Sequence, residues 1–244
     1  MKILHRAVQK EEILMYLYET HLHTSPVSNC GRASVRESLE FYKSIGYRGV
    51  FITDHFIESN LNVEARDLPY EEKIKYYFSA YEEGVAIGKE IGIDVFLGIE
   101  MGEGWAHILV YGIDKEWCLA HPEIEGMKKV ELLPILSEAG ALLIQAHPFR
   151  NVKSEIRLFP RHVHGTEIYN AARGEFENKL ALQYCENYEL IPFAGSDNHR
   201  AGGQEVLGGM ATERPIKDVD DFKALVLSRE AKPFIKDESG VRLL

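Results

Sequence analysis

Short apolar, β-branched runs alternate along this chain with amphipathic stretches, and no other feature limits its fold so tightly. The runs fall at 14–21, 49–53, 95–99, 107–112, 141–146, 166–169 and 191–194, with a closing run at 233–235. Between the first two, 31–45 places Val35, Leu39, Tyr42 and Ile45 at helical spacing and stops at Gly46. The segment 70–91 predicts a long helix ended by Gly92, and 131–139, 176–188 and 218–228 read the same way. Such alternation implies repeated βα units around a parallel sheet. Seven or so units in 244 residues fit a closed barrel better than an open doubly wound sheet, and no GxGxxG follows the first run. The expected fold is α/β, a TIM-like barrel spanning 1–244 as one domain.

Composition narrows the partners. With 45% apolar and 27% charged residues the chain is that of a globular protein. Its 28 basic and 38 acidic residues give a net charge of −10, which repels phosphate backbones and anionic membranes, so no long nucleic acid is expected. Cys30, Cys118 and Cys185 form no CxxC, and an odd count suits free thiols in a reducing compartment. Residues 1–12 are mixed and charged, without the apolar core of a leader, and no run approaches 18 apolar residues. A cytoplasmic protein off the membrane is expected.

The chemistry-bearing residues gather where strands end. Glu19-Thr20-His21-Leu22-His23 puts two imidazoles at i and i+2, on one side of an extended segment. Thr53-Asp54-His55 follows the second run; Asp54 would hydrogen-bond nearby, or else cap a helix beside a surface histidine. Glu100 ends Leu97-Gly98-Ile99-Glu100 as a carboxylate that needs a cation or donors, and His107 opens the next run. His147 closes Gln145-Ala146-His147-Pro148, and Asp197 and His199 repeat the i, i+2 spacing in Gly195-Ser196-Asp197-Asn198-His199. In a βα barrel the C-terminal strand ends share one rim, so these segments would converge. Six nitrogens and two carboxylates exceed the needs of one tetrahedral ion. Two or three adjacent divalent ions are implied, and the donor mixture suits Zn²⁺, Mn²⁺ or Fe²⁺. A second HxH, His162-Val163-His164, precedes its strand and is assigned to the opposite rim, while His121 is read as a loop residue.

In this order and spacing, His21-Leu22-His23, Thr53-Asp54-His55, Gly98-Ile99-Glu100, Ala146-His147-Pro148 and Gly195-Ser196-Asp197-Asn198-His199 resemble the PHP superfamily, named for polymerase and histidinol phosphatase. The resemblance implies a distorted (β/α)7 barrel, a trinuclear metal centre and phosphoesterase chemistry. It implies that His21, His23, Glu100 and Asp197 hold one ion, and that Glu100 bridges to a second held by His107 and His147. His55 and His199 would hold a third. Where the family places a His or Asp before a Gly in the loop after the first motif, this chain reads Ser28-Asn29-Cys30-Gly31. Either Cys30 as thiolate or Asn29 through its amide oxygen completes the third site, or that site is weak or empty. A thiolate favours zinc or iron over manganese.

Paired ions lower the pKa of a bridging water and clamp a phosphoryl group, so a metal-bridging hydroxide would be the nucleophile. Glu100, Asp197, His199 and Arg150 are the expected catalytic residues. Arg150, Arg173 and Arg200 are the candidates for substrate phosphate, since guanidinium forks match its geometry. Glu167 would orient a ligand or a cation, and 58–77 would form a lid. The reading is a phosphoesterase acting on a small phosphomonoester or short nucleotide. Its rivals are a phosphodiesterase or exonuclease on short oligonucleotides, a histidinol-phosphatase-like enzyme and a non-catalytic metal-binding regulatory barrel. An amidohydrolase-type enzyme is a further rival, although such sites often use a carbamylated lysine where this chain places Glu100.

Overall fold

The computed structural model describes residues 15–244. The reading of 1–12 and the first residue of the 14–21 run lie outside the described residues. The strands are β1 (Tyr16–Leu22), β2 (Gly49–Ile52), β3 (Asp94–Leu97), β4 (Ile99–Glu103), β5 (Ala106–Tyr111), β6 (Leu142–Ala146), β7 (Gly165–Asn170), β8 (Ile191–Gly195), β9 (Leu207–Thr212), β10 (Lys232–Asp237) and β11 (Gly240–Leu243). The helices are α1 (Val35–Ser44), α2 (Tyr70–Ile91), α3 (Lys115–Ala120), α4 (Lys129–Glu138), α5 (Glu175–Asn187) and α6 (Val219–Leu227).

The expected closed barrel of parallel strands is not what these elements form. The strands lie in two mixed sheets, one of six in the order β11-β10-β9-β1-β2-β3 and one of five in the order β4-β5-β6-β7-β8. Pairing is parallel for β1–β2, β2–β3, β6–β7 and β7–β8, and antiparallel for β1–β9, β9–β10, β10–β11, β4–β5 and β5–β6. Three local causes explain the difference. The apolar run 95–99 splits at Gly98, where a Cβ would come within 2.6 Å of Thr53 Cγ2, and the chain passes there from one sheet to the other. The link Gly104-Trp105 between β4 and β5 is a two-residue hairpin, too short for a parallel crossover. The Gly-rich β9 lacks the alternation that marks a strand, yet it pairs with both β1 and β10.

Helix limits follow capping chemistry. The expected helix 31–45 begins only at Val35, because the Ser34 side chain accepts from Glu37 N–H and Glu37 reaches back in a capping box. Gly92, at φ 77°, ends α2 where the sequence indicates. Asp218 caps α6. Among the described residues no helix is long and apolar enough to cross a membrane.

Both sheets contribute to an inner apolar layer. Tyr18, Phe51, Phe96, Leu109, Tyr111, Ile144 and Phe193 pack with Phe222, Leu225 and Val226 of α6. Phe222 lies 4.3 Å from Phe51 and 5.4 Å from Tyr111, centroid to centroid. A larger cluster, which includes Leu39 of α1, Phe78 of α2 and Leu133 of α4, covers the outside. Strand β5 shows how the layers relate. Tyr111, Leu109 and His107 fall on one face by alternation; the first two lie in the apolar layer and the third reaches the polar end.

The approach of β9 to β1 is testable. A Cβ on Gly209 would sit 2.1 Å from Tyr18 O, against backbone that cannot yield without parting the strands. Gly203 also has positive φ, 85°, but faces open space. Gly209→Ala should cost about 3 kcal/mol and lower Tm by roughly 6–12 °C. Gly203→Ala should cost about 1 kcal/mol and lower Tm by roughly 2–4 °C. Equal, small shifts in thermal unfolding would refute the close approach.

Candidate metal centre

The strand ends bring together residues that are up to 178 positions apart in sequence, from His21 to His199. His21 lies on β1 and His23 just beyond it; His55 follows β2, Glu100 lies on β4 and His107 on β5. His147 follows β6, and Asp197 and His199 follow β8. Within this group, donor atoms lie within 4.8 Å of one another in four sets: His21, His23 and Asp197; His21, Glu100 and His147; His55, Glu100 and His107; and His23, Cys30, His55 and His199.

The separations can be set against metal geometry. Four donors about 2.0–2.1 Å from a tetrahedral ion stand about 3.3–3.4 Å apart. His21 Nε2 and His23 Nε2 are 3.2 Å apart. They lie 3.3 and 3.4 Å from the oxygens of Glu100, and 3.6 and 3.4 Å from Asp197 Oδ1. Glu100 Oε1 also lies 2.8 Å from His107 Nδ1 and 3.1 Å from His147 Nε2. His55 Nδ1 approaches Glu100 Oε2 to 2.6 Å in a geometry that makes no hydrogen bond, and both atoms are buried without a partner. A buried carboxylate oxygen and a ring nitrogen left in this way call for a cation, and the pair would have to part from 2.6 Å to share one tetrahedral ion.

Surrounding groups turn the ring nitrogens. His21 Nδ1 is 2.9 Å from Glu167 Oε1, which leaves Nε2 facing Glu100 and Asp197. Glu167 Oε2 accepts from His147 N–H and from Asn170 Nδ2. His23 Nδ1 is 3.2 Å from Ser28 Oγ, which donates to Asp54 Oδ1. Asp54 therefore meets the His23 ring through Ser28, accepts two further bonds from Thr24, and does not bond the ring of its neighbour His55. His199 Nδ1 is held by the Asp197 carbonyl at 2.9 Å. His147 and Asp197 take positive φ, 27° and 51°, rare for side-chain-bearing residues and common at functional sites.

Charge in the cluster is uneven. Burial opposes charge on Glu100, yet His107, His55 and His21 hold its carboxyl well below the usual range. Asp197 is depressed in the same way by His21 and His23 against its burial. His21 is raised well above the ordinary imidazole value because Glu167, Asp197 and Glu100 outweigh burial. His23 is lowered well below it by burial and by His55 and His199. Burial pushes Asp54 up to about 6 despite bonds from Ser28 and Thr24. The cluster thus keeps buried negative charge and draws positive charge to it.

A cavity of about 500 Å³ opens onto this cluster, lined in part by Cys30, His55, His107, Asp197 and His199. Arg150 and Arg173 also line it, with Arg173 Nη2 3.8 Å from Asp197 Oδ2, whereas Arg200 is exposed and is not among the lining residues. Cys30 joins the imidazoles while Asn29 is exposed. His164 accepts from Leu143 N–H and borders a separate hollow with His162. His121 pairs with Glu123 at the surface. Sequence reasoning gave no role to Glu19, Ser28, Asn170 or Trp105. Glu19 had a signal, being i−2 from His21 on the same side of β1; its Oε1 accepts from His21 and Ser196 N–H. Ser28 and Asn170 act through contacts that no local pattern encodes.

No protein-family model matches the chain, and neither does any curated protein. Among solved structures the fold recurs. A two-domain protein from Bacteroides vulgatus ATCC 8482, described as containing a predicted PHP-like metal-dependent phosphoesterase, aligns with a TM-score of 0.64 at 14% identity, over 90% of this chain and 64% of that one. This chain therefore spans just under two thirds of that protein. A protein from Bifidobacterium adolescentis, named by prediction as a metal-dependent phosphoesterase, aligns with a TM-score of 0.52 at 15% identity, over 87% and 96% of the two chains. An amidohydrolase from Chromobacterium violaceum, with bound sulfate and no metal, gives 0.55 at 13% identity, over 86% and 96%. At such identities the likeness establishes a shared fold, and one of these structures carries the PHP name.

The thiol in this cluster should titrate early. Burial would raise Cys30, but hydrogen bonds from His199 and His55 bring it down to about 6. Cys118 and Cys185 are pushed up by burial to about 12 and 11. Alkylation of metal-free protein by iodoacetamide should therefore stay near its plateau from pH 8 to 7 and halve near pH 6. An ordinary thiol of pKa ~8.5 would lose about ten-fold per unit below pH 8. That steeper profile would remove the imidazole contacts assigned to Cys30.

Proposed function

We propose that this chain is a metal-dependent hydrolase of phosphate esters belonging to the PHP group, acting on a small phosphomonoester or short nucleotide. The observation that carries the reading is Glu100, whose two oxygens lie within 3.4 Å of His21, His23, His55, His107 and His147. One carboxylate so surrounded suits cations on both of its oxygens. His21, His23, Glu100 and Asp197 would hold one ion, Glu100, His107 and His147 a second, and His55, His199 and Cys30 a third. Zinc, iron or manganese suits the first two sets, while the thiolate of Cys30 tilts the third toward zinc or iron. When bound, such ions supply a water of lowered pKa and neutralise charge that builds on a phosphoryl group.

The remaining work falls to the protein. Glu167 keeps the Nε2 of His21 turned inward, and Ser28 does the same for His23. Arg150 and Arg173 present guanidinium groups to the cavity, where they would grip phosphate oxygens and orient the ester. His199 and Asp197 border the space where the reacting group would sit. These two arginines favour a tetrahedral anion over an amide. Among the described residues no lysine lines the cavity to serve as a carbamylated bridge. An assay of phosphate monoesters, diesters and amides with Mn²⁺ and with Zn²⁺ tests the reading; turnover of amides alone would overturn it.

Glu100→Gln keeps the side chain's size and loses its charge, and only one amide atom coordinates well. Bound metal should fall below the native stoichiometry and the rate should drop at least ~100-fold, with unchanged circular dichroism. Full metal content with normal activity would return Glu100 to a structural role.

The two HxH pairs separate by position. His21→Ala should abolish turnover, whereas His162→Ala should leave it within about two-fold, since His162 borders a different hollow. Equal damage from both, measured as kcat on one ester, would contradict the assignment.

A further inference from the structure

We infer that Trp105 is the recognition platform for the organic half of the substrate, and that this half is a flat heteroaromatic ring; the inference rests on the phosphoesterase reading of the same cavity. At about 500 Å³ the cavity lies within the range of small-molecule pockets, with room for much more than a phosphate group. Its other lining residues are charged, polar or glycine, with Cys30 the one small exception, so Trp105 supplies its one broad apolar face.

Trp105 is also misplaced for a structural role. Tryptophan is highly buried on average, yet this side chain is 50% exposed, at the tip of the β4–β5 hairpin. The tip is fixed relative to the chemistry. Glu100 and His107 lie on the two strands of the same hairpin, Gly104 turns it with φ 60°, and Gly102 N–H donates to Ser59 Oγ at 2.6 Å. Arg150 stands over the indole, 5.6 Å from the ring centroid, and this cation–π contact ties the platform to a phosphate-facing guanidinium. A planar ring laid on the free part of the indole would stack there while its phosphate meets Arg150. Exposed aromatics bind nucleobases in this way with little regard to sequence, because every such ring has a π-face.

The test compares adenosine 5′-monophosphate with ribose 5-phosphate, in which the anomeric hydroxyl stands in place of the base. Trp105→Ala should raise KM for the nucleotide about ten-fold, leave KM for ribose 5-phosphate within about two-fold, and change kcat little. Trp105→Phe should restore most of the difference and Trp105→Leu should not. Binding is read without turnover in Trp117→Phe protein stripped of metal, where Trp105 is the one remaining tryptophan. Its fluorescence should be quenched by the nucleotide and not by ribose 5-phosphate. Equal KM changes for both esters, or hydrolysis of the nucleotide without quenching, would overturn the inference and leave the phosphoesterase reading intact. Quenching without hydrolysis of either ester would overturn that reading and leave the platform standing.

Discussion

Glu100 holds negative charge on a fully buried side chain, and much of the molecule is arranged around that fact. An isolated buried carboxylate is costly enough that it protonates or finds positive partners. Here five imidazoles meet it within 3.4 Å. They come from β1, from the turn after β2, from β5 and from the turn after β6, so the two sheets must present these ends to one side. Gly98 makes that possible, since the chain crosses between the sheets where a side chain would strike Thr53 and Tyr111.

Holding the rings in place takes a further set of buried carboxylates. Glu167, Asp54 and Glu19 are each buried, and each accepts hydrogen bonds from main chain, hydroxyl or amide groups near a cluster residue. Each contact is a net gain of only about 1–3 kcal/mol, but together they leave the imidazoles little freedom to rotate. A site fixed before its ligand arrives loses less on binding it.

The candidate site was more legible than the fold. His21-Leu22-His23, Asp54-His55, Glu100, His147 and Asp197-Asn198-His199 announce themselves because polar groups at the end of an apolar strand demand an explanation. Their gathering depends only on strand ends sharing a side, which holds in two mixed sheets as it does in a barrel. The closed barrel was misread because strand direction is not written in an apolar run. The same alternation serves 107–112 whether it pairs parallel or, as here, antiparallel to β4 and β6. β9, with its paired glycines, and the split at Gly98 depend on close approaches between distant segments, as does the partnership of Ser28 with His23. Arg200 shows the converse, a residue adjacent in sequence to a cluster member that is exposed and does not line the cavity.

The donors run from His21 to His199, so the cluster exists only once both sheets have docked. Fragments and partly folded chains hold at most pieces of it. A cation that binds the finished cluster and not the open chain shifts the folding equilibrium by mass action, about 2.7 kcal/mol at a hundred times its dissociation constant. The survival of the chain against proteases would then track the supply of metal around it. Loss of such a cation would then loosen the docking of the two sheets as well as empty the cluster.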